Sequence, residues 1–510
     1  MKQLNLNKLL PQALDLHRNG NLEKADEIYL EILKNNPDDF DSNHLHGVVL
    51  AQKKEFKTSI KYYENAYKIN KNNSELLNNY GISLRNIKEY QKSEALFNMA
   101  IKNDANFIKS YINLSNCYAV QKKYDEALKV LNQGRIIDSS DTRLTKNIIG
   151  IYIEKFIKFK NSDDLSHCIE NLNQIDVNET FDQKTICNYA LVYLWNHELD
   201  KSYNLFKIAE KKSQIVPELQ TLLKIKDKSV LSHFVKHEYE QICHIDSDID
   251  GIRNMKITQE FFDLLHIINS KNHENYSQDD LSFISTIHKI KYNKPPKTKL
   301  SLLNPMLDFK SIQNQYCTSN PSICVVDNIL SDSFYTDLNV FYRCANIFKR
   351  PYPRGYVGTF LGTGMANKPI LQFSLDLKNE LPDIFKEYNL SQAWAFKYDS
   401  EHKGINIHAD DAMVNVNLWL TPDSANLNKD SGGLIIWKKK PDEFASFDEF
   451  NSELNSEKMF KEVNNSDSIK VPYKANRAVI FDSKLYHATD SINFDSKYIN
   501  RRLNVTFLYS

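Results

Sequence analysis

The sequence predicts a multidomain α plus β chain: an N-terminal α-solenoid, then a β-rich C-terminal domain with flanking helices. Three observations predict it. A five-column residue pattern recurs every 34 residues from about residue 6 to 141. Seven of the chain's 13 glycines lie between Gly355 and Gly433; a β domain with tight turns needs them and helical repeats do not. Near the C-terminus come His408-Ala-Asp410, a lone His487, and Arg502-Leu-Asn504.

The repeat is read column by column. Small residues recur at Ala13, Gly47, Gly81 and Ser115 in the first helix of each unit. Bulky residues open the second helix at Leu22, Phe56, Tyr90 and Tyr124, followed by small ones at Ala25, Ser59, Ser93 and Ala127. Large residues follow at Tyr29, Tyr63, Phe97 and Leu131, then Ile32, Ala66, Ala100 and Gly134. Small residues let paired helices approach, and each hairpin buries its apolar face only by stacking on the next. This period and pattern resemble tetratricopeptide repeats, with the signature proline present at Pro37 and missing from units two to four. The resemblance implies a concave surface for a protein or peptide partner. A rigid spacer or dimerisation arm is the plainer alternative. His44 and His46 fall inside a repeat and read as structural.

Residues 142–182 read as helical but degenerate. Another repeat-like unit appears at Ala190, Tyr193, Leu199, Ser202, Phe206 and Ala209. Residues 217–310 are helical and charged in places, and Asn293-Lys-Pro-Pro-Lys-Thr-Lys299 marks a break. The expected domains are therefore 1–141, 142–300 and 301–510. Beyond the break, Pro321 to Leu330 reads as a first strand, and Ser331 to Phe341 as a helix behind a Ser or Asp cap. Gly355 to Gly364 lacks the strand, helix and lysine of a phosphate-binding template. It reads as a turn-rich loop and a candidate lid.

Residues 405–410 alternate, as in a strand, so His408 and Asp410 share a face. Arg477 to His487 reads as an apolar strand that ends and delivers a histidine. Two imidazoles and one carboxylate leave open positions on an octahedral iron, as oxygen activation requires. Alternation favours Asp410 over its neighbour Asp411. On the last strand Arg502 and Asn504 share one face. A buried guanidinium is costly unless it meets an anion, and its fork suits a carboxylate. Asn415 and Asn417 alternate on another strand, as a polar cavity wall or a solvated face. His402 has no such companions and reads as exposed.

The stretches Tyr398 to Asp410, Ser431-Gly-Gly-Leu434, Asn476 to Ser483, His487 and Arg502-Leu-Asn504 together resemble 2-oxoglutarate/Fe(II)-dependent dioxygenases, prolyl hydroxylase-like branches included. The resemblance spans roughly residues 320–510. It implies a double-stranded β-helix, or jelly-roll barrel. His408, Asp410 and His487 would hold Fe(II) as the catalytic metal set. Arg502 would pair with the distal carboxylate of 2-oxoglutarate, and Tyr398 and Asn504 would hydrogen-bond that cosubstrate. The Arg-x-Asn pattern favours Arg502 over Arg501. Dioxygen is the second cosubstrate and ascorbate a candidate reductant.

Lys plus Arg equals Asp plus Glu at 65 each, which argues against a general polyanion or nucleic-acid binder. No apolar run approaches the roughly 18 residues of a membrane span, and the start lacks a secretory apolar segment. Seven scattered cysteines without Cys-x-x-Cys suggest reduced thiols and a cytoplasmic setting. The expected function is hydroxylation of a protein or peptide recruited by the repeats. The alternatives are the same chemistry on a small metabolite or carrier-tethered substrate, with the repeats mediating assembly, or a non-catalytic scaffold.

Overall fold

The second helices of the first four units run Leu22–Asn35, Phe56–Ile69, Tyr90–Asn103 and Tyr124–Ile137, each opening on its bulky column residue. This computed structural model describes residues 6–178, 180–213, 224–245, 257–287, 289–290, 292–297, 301–400, 405–442, 447–451 and 455–510. His402, Gly404, Thr298 and Lys299, and parts of the 217–310 stretch, lie outside the described residues.

The columns interlock physically. Tyr29, Tyr63, Phe97 and Leu131 are all essentially inaccessible to solvent. A Cβ placed on Gly47 would lie 2.6 Å from the Tyr63 ring, and one on Gly81 would lie 2.7 Å from the Phe97 ring. The small column is therefore the socket for the large one. Each buried ring stabilises by roughly 1.5–3 kcal/mol relative to exposure. The turn inside each hairpin is periodic too: Gly20, Lys54, Lys88 and Lys122 adopt φ of 75°, 65°, 68° and 63°. Only the first has the residue type that region favours. The chain divides into two compact units, residues 1–176 and 177–510. Helices Thr142–Phe159 and Ser162–Leu172 belong to the first. The repeat-like pair Gln183–Trp195 and Leu199–Lys212 belongs to the second.

The second unit carries ten described strands: β1 (Ile323–Val326), β2 (Arg350–Tyr352), β3 (Tyr356–Phe360), β4 (Leu390–Tyr398), β5 (Val414–Trp419), β6 (Leu434–Trp437), β7 (Ser468–Val471), β8 (Arg477–Asp482), β9 (His487–Thr489) and β10 (Arg502–Tyr509). They form an antiparallel sheet of seven, ordered β1-β8-β5-β10-β4-β3-β2, and a separate sheet of three, β7-β6-β9. Among the described residues no strand pairing closes the two into one barrel. Trp419, Val479 and Phe481 of the large sheet share a dry core with Leu434, Ile436 and Val471 of the small one. On the other face of the large sheet, helix Lys368–Glu380 packs Phe373 against Phe507, with ring centroids 5.4 Å apart. The Tyr509 hydroxyl donates to the Ser374 carbonyl at 2.9 Å. Helix Asp332–Cys344 is capped by Ser331, whose hydroxyl accepts from the Phe334 amide, at the position expected.

Two local expectations are corrected. The glycine-rich 355–364 segment is not a loop: Tyr356–Phe360 is pleated between β2 and β4, and only Leu361–Thr363 makes a short turn of helix. Nor do residues 405–410 form a strand. His408 alone makes an isolated bridge, to His487.

Candidate metal centre

That bridge builds the site. The His408 amide donates to the His487 carbonyl at 3.0 Å, and the His487 amide returns the bond at 2.8 Å. The Asp410 amide donates to the Ser483 carbonyl at 3.1 Å, fixing the carboxylate beside the pair. One ligand atom from each of His408, Asp410 and His487 lies within 4.8 Å of the others. Asp410 Oδ2 is 3.5 Å from His487 Nε2, and Oδ1 is 4.0 Å from His408 Nε2.

The surrounding groups orient all three. His408 Nδ1 lies 2.7 Å from the Asn406 carbonyl, and His487 Nδ1 lies 2.9 Å from the Leu485 carbonyl. A carbonyl only accepts, so in the neutral form of either ring the proton sits on Nδ1 and Nε2 is left for the shared point. Asn415 Nδ2 donates to Asp410 Oδ2 at 3.0 Å. Burial, with the neighbouring His487, pushes the His408 pKa down to about 4. Burial would raise that of Asp410, but the His487 contact and the two imidazoles outweigh it and hold the carboxyl below its ordinary value. Neutral imidazole and ionised carboxylate are the forms that bind a metal. Asp411 is exposed and outside the cluster.

Every residue predicted for the site borders one cavity of about 50 Å³: His408, Asp410, His487, Arg502, Tyr398 and Asn504. The cross-strand register explains this, since Tyr398 pairs with Arg502 and Phe396 with Asn504. Arg502 is 1 % exposed. Its Nε donates to the Gly432 carbonyl at 2.6 Å, Nη2 to the Gly433 carbonyl at 3.5 Å, and Nη1 to Asn504 Oδ1 at 3.3 Å. Tyr398 lies under it, ring centroid 4.9 Å from the guanidinium carbon. Among the described residues no carboxylate lies within ion-pair distance of Arg502. Asp490 attracts it weakly and is itself paired with Lys470 at 3.0 Å. The Tyr398 hydroxyl is buried without a hydrogen-bond partner among the described residues. Thr489 and Arg502 stand near it. A buried cation without a counter-ion and an unsatisfied hydroxyl on one cavity wall are what an anionic ligand would complete.

Sequence reasoning missed the role of the glycine pair and left two other points incomplete. The glycine pair acts through its carbonyls, on Arg502; a Cβ on Gly433 would lie 1.9 Å from the Val471 carbonyl oxygen. Asn415 and Asn417 are cavity wall, not solvated face: both are buried, and Asn417 donates to Thr506 at 3.0 Å. Arg501 points away from the cavity but is buried, paired with Glu240 at 2.7 Å and Asp399 at 3.5 Å.

The tetratricopeptide repeat family model matches residues 40–73. No curated protein matches the chain. Among solved structures, Pseudomonas aeruginosa pilF is similar at 16% identity over 40% of this chain and 90% of its own, with a TM-score of 0.34. A tetratricopeptide repeat protein from Parabacteroides merdae is similar at 16% identity over 42% and 80%, TM-score 0.34. PilW, a type IV pilus biogenesis factor, is similar at 16% identity over 44% and 100%, TM-score 0.35. Among the described residues no helix is long and apolar enough to cross a membrane. The matched unit and the periodic packing around it identify the N-terminal helical solenoid as tetratricopeptide repeats.

Proposed function

We propose that the C-terminal unit is an Fe(II)/2-oxoglutarate-dependent oxygenase that hydroxylates a protein or peptide recruited by the repeats, its two sheets forming the halves of a double-stranded β-helix. The observation that carries the reading is the convergence of His408, Asp410 and His487 in the same cavity as the uncompensated Arg502. The donor set fits ferrous iron, and a guanidinium without a counter-ion, with the Tyr398 hydroxyl and Asn504, fits the distal carboxylate of the cosubstrate. Bound iron would supply oxygen activation, in which 2-oxoglutarate and O2 become succinate and CO2 while a substrate C–H becomes C–OH.

The chain's own residues do the rest. His408, Asp410 and His487 present their lone pairs from fixed backbone, so little ordering entropy is lost on binding. Arg502 orients the diacid from behind. Trp394, Phe396 and Leu434 wall the cavity and limit water. Recruitment by the repeats rests on the general use of such solenoids for protein contacts.

The test is succinate release from 2-oxoglutarate with ferrous iron and oxygen. Activity in the native chain that disappears in His408→Ala and Asp410→Ala supports the reading. Equal turnover in those variants refutes it. Loss of protein hydroxylation on removing the repeats, with uncoupled cosubstrate turnover retained, supports recruitment; hydroxylation unchanged by that removal rules it out.

A further inference from the structure

Immediately outside the ligand cluster lies a second cavity of about 580 Å³, which shares Trp394, Phe396, Ile405, His408 and Asp410 with the inner one. Its size is that of a small-ligand pocket. Register builds its wall. Across β2, β3, β4 and β10, Arg350, Gly358, Phe396 and Asn504 form one row, and Tyr352, Tyr356, Tyr398 and Arg502 the next. Phe360 and Trp394 pair in a third. Tyr352 and Tyr356 stack with centroids 4.7 Å apart and planes 5° apart, and Phe396 meets both edge-on. Gly358 is what lets the wall close: a Cβ there would lie 2.7 Å from the Phe396 ring and 3.0 Å from Tyr352.

At the edge of this wall sits Arg350, its guanidinium carbon 5.1 Å from the Tyr352 centroid and 5.6 Å from that of Phe360. It borders the cavity and, among the described residues, no carboxylate lies within ion-pair distance. An aromatic wall alone would suit a cationic ligand as well as a neutral one. Here the protein's own arginine already occupies the faces of Tyr352 and Phe360, so a second cation there would be repelled. Among the described residues, Asp411 is the one carboxylate on the cavity lining besides Asp410.

We infer that this outer cavity takes a substrate with a flat, aromatic body carrying a carboxylate, the ring lying on the Tyr352–Tyr356–Phe396 wall and the carboxylate meeting Arg350. This deepens the oxygenase reading and rests on it for the chemistry, but the recognition is independent of any metal. The carboxylate can come from a small free acid or from an acidic residue beside an aromatic one in a peptide.

The test is therefore binding to the full, metal-free chain, followed by ligand-observed NMR. The probes are 3-phenylpropionate, its neutral amide, phenethylamine and a blocked Phe-Asp dipeptide. One of the two carboxylate probes should bind at least 10-fold more tightly than the amide and the amine, and the tighter of them names the source. Arg350→Ala should remove that preference, Arg350→Lys should restore part of it, and Arg502→Ala should leave it in place. Loss of the preference in Arg502→Ala but not Arg350→Ala would put the anion in the inner cavity and overturn the inference. Equal binding of acid and amide, or preference for the amine, would overturn it as well. Should His408→Ala abolish neither iron uptake nor turnover, the oxygenase reading fails while these binding results stand unaffected.

Discussion

His408 and His487 exchange both backbone hydrogen bonds, at 3.0 and 2.8 Å, and their ring centroids stand 4.3 Å apart. Residues 79 positions apart in sequence are thus locked as a facing pair before any ligand arrives. The convergence of the two rings is a property of the backbone.

Arg502 is expected to make stability depend on the diacid. With ferrous iron under nitrogen, 2-oxoglutarate at 100 times its Kd should stabilise the native chain by about 2.7 kcal/mol, read as a rise in melting temperature. Arg502→Ala should lose most of that rise and raise the cosubstrate requirement roughly 10- to 100-fold, the worth of one charge-assisted pair. An unchanged thermal shift in the variant would separate Arg502 from the diacid.

Arg501 should behave oppositely. Its pairs with part-buried Glu240 and buried Asp399 predict that Arg501→Ala costs about 1.5–3 kcal/mol, the worth of a charge-assisted bond, since Asp399 keeps Lys236 at 2.8 Å, with little change in cosubstrate requirement. Burial would raise the Asp399 pKa, but Arg501 and Lys236 outweigh it and hold it at about 2. A carboxyl depressed in the fold stabilises above its unfolded pKa of roughly 3.9 and loses that contribution as pH falls toward 2. Urea midpoints of the native chain should therefore fall between about pH 4 and 2 more steeply than those of Asp399→Asn.

Gly433→Ala should fail through backbone. The added carbon would meet the Val471 carbonyl, so β6 must move, at a cost of about 3 kcal/mol. The Gly432 and Gly433 carbonyls that hold Arg502 would move with it. Weaker cosubstrate binding at retained iron affinity is the expected signature, measured by calorimetry.

In the solenoid, Lys88 holds φ of 68°, a region that costs an L residue roughly 1–2 kcal/mol. Lys88→Gly should stabilise the third repeat by up to about 1 kcal/mol after glycine's own entropy loss, seen as slower amide exchange in helix Tyr90–Asn103.

The solenoid was legible because its packing is written in period: Gly81 and Phe97 touch, and both fall in fixed columns. The candidate site was legible because His408, Asp410, His487 and Arg502 carry chemistry in their side chains. Strand β3 was not. Gly358 is there to make room for Phe396, yet glycine reads as a turn. Arg501 was undervalued because its partner Glu240 lies 261 residues away. The glycine pair's hold on Arg502 runs through carbonyls, which no residue type announces. Alternation predicts a strand over residues 405–410; instead a single bridge between His408 and His487 brings the three side chains together.

Anaerobic equilibrium dialysis against ferrous salt bears most directly on the centre. The account predicts about one iron per native chain, and none in His408→Ala, Asp410→Ala or His487→Ala variants whose circular dichroism is unchanged. A native chain that takes up no iron, or three variants that retain it, would contradict the account at its root.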